Sequence, residues 1–183
     1  MTTIAQSTEV LPAGTWKADP AHSRVEFAVD YLGGTFRGAF APFEAQLEVA
    51  EDGEAFLTGV APAESVRVQD ENLEAHLLSP EFFDAERHPV VSFSGALKRD
   101  GDATEIDGEI TIKGITHPAV LKGTIVGPTV DHFGATRVGL KLQTTVDRTK
   151  FDMNWNMPLP NGEPALSNEV TLKADLTLVA QEA

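Results

Sequence analysis

Apolar and polar residues alternate along most of this chain, most cleanly between residues 106 and 126. Ile106, Gly108, Ile110 and Ile112 fall on one face, and Asp107, Glu109, Thr111 and Lys113 on the other. Period two over this length predicts a half-buried strand. Gly114 can supply the positive φ of a tight turn. Ala119, Leu121, Gly123 and Ile125 then resume the apolar face, and Pro118 is expected only at an edge or a strand start.

The same rhythm recurs on both sides of this stretch. Residues 15–19, with Trp16, predict a first short strand, and 24–31 a second, with Val25, Phe27 and Val29 on one face. Gly33-Gly34 turns the chain into Phe36, Gly38 and Phe40. After a bend at Pro42 come Phe43, Ala45, Leu47 and Val49. Asp52-Gly53 signals a hairpin. The strand after it has two candidate phases, one with Phe56, Thr58 and Val60 inward, the other with Leu57, Gly59, Ala61 and Ala63. Val91, Phe93, Gly95 and Leu97 form a further strand. After Gly127-Pro128 a loop to Ala135 is expected, then a strand with Val138, Leu140, Leu142, Thr144 and Val146, and a last one with Val170, Leu172, Ala174, Leu176 and Leu178.

One segment breaks the pattern. Leu73, Leu77 and Leu78 share a side at helical spacing, Asp70 is placed to cap the first turn, and Pro80 stops the helix. Phe82 and Phe83 follow as an apolar tether. The irregular stretch from 147 to 160 has room for a short helix near 148–156. Many strands joined by glycine hairpins, with one helical interruption, predict an all-β antiparallel sheet closed into a barrel, which leaves no free edges. The boundaries expected are a flexible arm over residues 1–13 and a barrel domain over 14–183. A barrel of about eight strands is either filled by side chains or holds one small ligand. Gly38, Gly95, Gly108, Ala119, Gly123 and Ala174 all fall in the inward phase. They either leave volume for an apolar ligand or mark strong bends.

Composition narrows the functions. The 183 residues carry 14 Lys and Arg against 28 Asp and Glu, a formal net charge of −14. That argues against nucleic acid and anionic membrane surfaces as partners, because both require a basic face. Cys is absent, so disulfides and thiolate chemistry are unavailable. No apolar run is long enough to span a bilayer. The first residues have neither a basic start nor the apolar run of a signal peptide, so a cytoplasmic protein is expected if the chain begins there.

Catalytic motifs are missing from the pattern. His22, His76, His88, His117 and His132 show no local metal-ligand spacing, and each sits beside a turn, a proline or the helix, where a surface or capping role is expected. No GxSxG elbow occurs. The glycines from 33 to 38 join two strands without a following Lys-Ser/Thr pair, so they form a hairpin and not a phosphate cradle. Phe151, Met153, Trp155 and Met157 are expected to be core.

Several segments together carry a resemblance. They are Asp19-Pro20-Ala21-His22-Ser23 ahead of Val25, Phe27 and Val29; Gly38 and Phe40 with Phe43 and Ala45; Ser65-Val66; His76-Leu77 with Ser79 through Asp84; and His88-Pro89 with Val91 and Phe93. To these are added residues 108–118, Gly139, Asp147-Arg148 with Phe151, and Ser167 through Leu172. Over residues 14–179 the chain resembles the YceI-like family of lipid-binding proteins. The resemblance implies an extended lipocalin-like barrel, often dimeric, whose apolar lumen takes polyisoprenoid chains, such as those of isoprenoid quinones, or other amphiphiles. It implies no catalytic residues and no cofactor beyond that lipid. Tyr31 stands where the family often has His, and Leu73 and Leu78 stand where it often has Arg.

A non-enzymatic binder that stores or transports a long polyisoprenoid tail is therefore expected. Phe27, Val29, Phe40, Phe93, Ile110, Ile112, Ile125, Leu140 and Leu142 are the lumen residues expected to touch the ligand. Leu77, Phe82 and Phe83 are expected at its lid or mouth. The competing expectation is a stress-related structural homodimer whose barrel is merely packed.

Overall fold

The computed structural model describes residues 11–182. Most of the arm expected over residues 1–13 lies outside that range. Its last residues are docked: Leu11 is buried, and the Pro12 carbonyl accepts the Trp16 indole N–H at 3.1 Å.

Eleven strands combine into eight long ones. β1 (Gly14–Ala18) and β2 (Arg24–Tyr31) run in succession along one edge of β11 (Leu166–Ala180). Ala18 lies opposite Leu178, and Arg24 opposite Asp175. Residues 19–23 bulge between them without leaving that edge, because Asp19 N–H donates to the Thr177 carbonyl and Thr177 N–H to Ser23 Oγ. β3 (Gly34–Phe40) and β4 (Glu44–Val49) are likewise one ribbon, interrupted around Pro42, as expected for a residue without an N–H. β5 (Ala55–Pro62) and β6 (Val66–Arg67) are a third, broken by a 3-10 turn at Ala63–Ser65. β7 (Val90–Asp100), β8 (Ala103–Ile112), β9 (Ile115–Val130) and β10 (Thr136–Asp147) follow as hairpins, and β11 returns to β1. The result is a closed, eight-stranded antiparallel barrel, as the alternation predicts, and a lipocalin-like one, as the resemblance implies.

Local chemistry sets the details. The β2–β3 and β8–β9 turns are two-residue turns at Leu32-Gly33 and Lys113-Gly114, with positive φ at both positions, as such hairpins require. The first is one residue earlier than expected, since Tyr31 pairs with Gly34. In β5 the Leu57 phase points inward: Ala55, Leu57 and Ala61 are buried, whereas Phe56 and Val60 are exposed. β9 continues to Val130, so the loop expected after Gly127-Pro128 is shorter, and a register shift between Arg137 and Gly139 absorbs the irregularity. α1 (Glu71–Leu78) is capped by Asp70, whose carboxylate accepts from Asn72 N–H and Leu73 N–H. The short helix expected near 148–156 is a single 3-10 turn, Arg148–Phe151.

Two inward glycines act differently from the volume-leaving role considered above. A Cβ on Gly108 would collide with the Ser94 carbonyl, and one on Gly123 with the Lys141 carbonyl. These glycines let neighbouring backbones approach closely, and the space they would vacate is already filled.

The barrel interior divides into two halves. One end is packed solid: Trp16, Leu47, Ile106, Ile125, Val138, Leu140, Leu176 and Leu178 form one cluster, each 2% exposed or less. At the other end the sheet parts at two seams. The β5–β7 ladder stops at Pro62 and Val90, and α1 with residues 79–89 fills the gap beyond. The β9–β10 ladder stops at Lys122 and Gln143, and Phe151 and Met153 fill that gap against Ile110, Ile112 and Ala119. Pro118 pairs with Glu109 on β8 and lies on the stretch of β9 that β10 does not reach, which explains how a proline is accommodated inside a strand.

Candidate ligand-binding cavity

The second half of the barrel is hollow. A cavity of about 290 Å³ opens there, and its walls are almost wholly apolar. Its floor is the top of the packed cluster, where Ala45, Leu57, Leu142 and Leu176 belong to both. Its sides are set by strand alternation: Val25, Phe27 and Val29 from β2, Phe93 from β7, Ile110 and Ile112 from β8, and Leu172 and Ala174 from β11. Phe93, Leu172 and Ala174 face inward yet retain accessible surface, so their exposure is to the hollow itself.

Ten of the twelve residues expected to touch a ligand line this space: Phe27, Val29, Phe40, Leu77, Phe82, Phe83, Phe93, Ile110, Ile112 and Leu142. Ile125 and Leu140 do not. Both have no accessible surface and pack among Ile106, Val138 and Leu178 beneath the floor. Alternation assigns a side chain to the inward face but carries no information on height along the barrel, so it placed them with the others. The two competing pictures, a filled barrel and a hollow one, each describe one half.

The roof is aromatic. Phe40 meets Phe83 edge-on at 5.7 Å between ring centroids. His76 meets Phe82 at 4.9 Å and Trp155 at 5.0 Å, both nearly perpendicular. His76 is half-buried, so it goes beyond the surface role expected of it. It lines the cavity while its Nε2 pairs with the Glu81 carboxylate at 2.6 Å. Trp155 and Met153, expected only as core, also line the cavity.

Two buried cations hold the roof in place. Arg148, 4% exposed, donates to the carbonyls of Met153, Trp155, Leu166 and Ser167 and to Asn168 Oδ1, at 2.6 to 3.4 Å. These bonds fasten the segment bearing Met153 and Trp155 to the start of β11. Burial pushes the guanidinium pKa down, opposed by the nearby Asp147. Its charge is met by oriented carbonyl dipoles and an amide oxygen, and among the described residues no carboxylate is hydrogen-bonded to it. Lys113 ties the two seam fillings together, donating to the Pro80 carbonyl at 2.6 Å and the Asp152 carbonyl at 2.8 Å. Alternation put Lys113 on the polar face of its strand, yet it is buried in the turn, and nothing in the alternation marked Arg148, because the partners of both are main-chain groups. Arg148 entered only as part of the Asp147-Arg148 motif.

Among the described residues, no group of three His, Asp or Glu side chains is placed to hold a metal ion. No helix of the described residues is long and apolar enough to cross a membrane.

Comparison with known proteins agrees with this architecture. The YceI protein of Escherichia coli O157:H7 is 26% identical over 140 residues, covering 74% of this chain and 73% of the relative. The crystal structure of Burkholderia cenocepacia BcnA superposes with a TM-score of 0.72 at 20% identity, covering 90% of this chain and 99% of that one. A polyisoprenoid binding domain from Saccharophagus degradans superposes with a TM-score of 0.63 at 12% identity, covering 93% and 100%. At these identities the two structures speak for the fold alone. The family model for the YceI-like domain matches residues 16–178, and with nearly the whole barrel inside that match, the chain belongs to the YceI-like domain family.

Proposed function

We propose that this protein binds the apolar tail of a lipophilic molecule in the hollow half of its barrel, as a carrier or reservoir and not as a catalyst. The observation that carries the proposal is the unfilled apolar space faced by Phe93, Leu172 and Ala174. An apolar cavity of this kind stays dry and accepts an apolar guest. Each methylene moved into it from water contributes about 0.8 kcal/mol, so a tail binds without an elaborate polar site. A polyisoprenoid tail is the class favoured, since a structural neighbour is described as a polyisoprenoid binding domain. The volume of about 290 Å³ is just below the roughly 300–1,000 Å³ usual for small-molecule sites. The packed floor therefore stops the tail halfway down the barrel, and a longer chain emerges past the mouth.

Native mass spectrometry before and after organic extraction, followed by titration of the extracted protein with a fluorescent prenyl alcohol, tests this reading. A hydrophobic adduct that extraction removes, and saturable binding of the prenyl probe afterwards, are expected. Absence of both would overturn it.

A further inference from the structure

Three large apolar side chains stand exposed at the roofed end of the barrel: Leu32 at 60%, beside the lining residue Tyr31, Met157 at 58%, two residues past Trp155, and Leu73 at 44%, which itself lines the cavity. The segments that carry them are linked through the backbone and the roof. Leu32 N–H donates to the Ala165 carbonyl, and Asn156 Oδ1 accepts from both Met157 N–H and Ala165 N–H. Leu73 lies one helical turn before His76, which stacks on Trp155. Tyr31 and Trp155, both half-buried and both lining the cavity, complete the rim.

Leu32 is costly where it stands. Its φ of 50° is a conformation in which glycine or asparagine is far less strained. At the matching turn the strained residue is Lys113, whose side chain ties two segments together. Leu32 instead presents its side chain to water. A leucine held in a strained, solvent-facing turn, beside another exposed apolar pair and two aromatic residues with polar tips, has the make-up of a surface that sits at a lipid–water boundary. Leu73 both lines the cavity and is exposed, so the apolar surface is continuous from the rim to the interior.

We infer that this end of the barrel docks on the surface of a bilayer with uncharged or zwitterionic headgroups. A tail can then pass between membrane and cavity without crossing water. The net charge of −14, and the carboxylates of Asp70, Glu71 and Glu74 beside the rim, disfavour anionic lipid. Docking is peripheral, since the rim presents side chains and no spanning segment. The physiological use of docking rests on the tail-binding reading, but docking itself is measured without a tail.

The test is flotation of the extracted protein with phosphatidylcholine vesicles, compared with the double variant Leu32→Asn, Met157→Gln. Neither substituted residue lines the cavity. The native protein floats with the vesicles, the variant's partitioning falls about tenfold or more, and added phosphatidylserine weakens flotation. Prenyl-probe binding is unchanged in the variant, which also verifies its fold. A native protein that stays in the soluble fraction, or a variant that floats equally well, overturns the inference. So does a dimer in sedimentation that the same substitutions abolish, because a second copy would then be the occupant of the rim. Failure of the native protein to take up the probe while still floating would count against tail binding and leave docking intact.

Discussion

Replacing Ala174 with leucine separates a hollow interior from a filled one. Ala174 lies at the foot of the cavity wall, in register with the floor residue Leu142 on β10 and with Val25 on β2, and it lines the open space. Leucine adds three carbons there. At about 0.8 kcal/mol per buried carbon the gain is bounded at about 2.4 kcal/mol, and about 1–2 kcal/mol is expected because the unfolded chain already buries part of its apolar surface. In a close-packed core the same change costs about 1–3 kcal/mol through overpacking, so the two pictures differ in sign. Gly123→Ala is the control: its Cβ meets the Lys141 carbonyl and must destabilise whether or not the cavity exists. Urea unfolding of extracted protein reads stability, and titration with a prenyl probe reads affinity. The expected result for Ala174→Leu is a higher midpoint with probe affinity reduced tenfold or more. A lower midpoint with unchanged affinity would refute the cavity, and with it the assigned function.

Two further perturbations probe the supports of the site. Arg148→Met removes five hydrogen bonds at a buried position and strands main-chain acceptors. A loss of about 3–5 kcal/mol in urea unfolding is expected, with faster hydrogen exchange at residues 153–157; a loss below about 1 kcal/mol would contradict the role given to Arg148. The acid response should depend on Asp19, which Arg137 and His22 hold at about 2, below its ordinary 3.8. A carboxylate whose pKa is depressed by folding stabilises above its unfolded pKa and loses that contribution as pH falls through the folded one. Native stability should therefore decline more steeply between about pH 4 and pH 2 than that of Asp19→Asn, and parallel acid limbs in pH-dependent thermal melts would show that the Arg137 bridge has no such effect.

The fold was legible because alternation is local. Ile106, Ile110 and Ile112 declared their face within one strand, and Asp70 declared the start of α1 by its position before an apolar helical face. Height along the barrel was not legible, because a strand's two-residue period repeats unchanged from end to end. Phe93 at the cavity and Ile125 beneath its floor look alike in sequence. The roof was hidden for another reason. Arg148 and Lys113 act on main-chain carbonyls of remote segments, and a carbonyl has no letter in the sequence. Glycine was ambiguous in principle: only three-dimensional proximity shows whether a missing side chain leaves a void or admits a neighbouring backbone, and at Gly108 and Gly123 it admits the backbone.

The plug beneath the cavity works as the stop of a measuring cylinder. Because it is built of side chains, its height can be reset without touching a single backbone hydrogen bond. Trimming Leu57 or Leu176, which form its upper surface, would deepen the vessel by one layer, and enlarging Ala45 would make it shallower. On one unchanged scaffold, a few substitutions at that stop are enough to re-gauge the length of guest the protein retains.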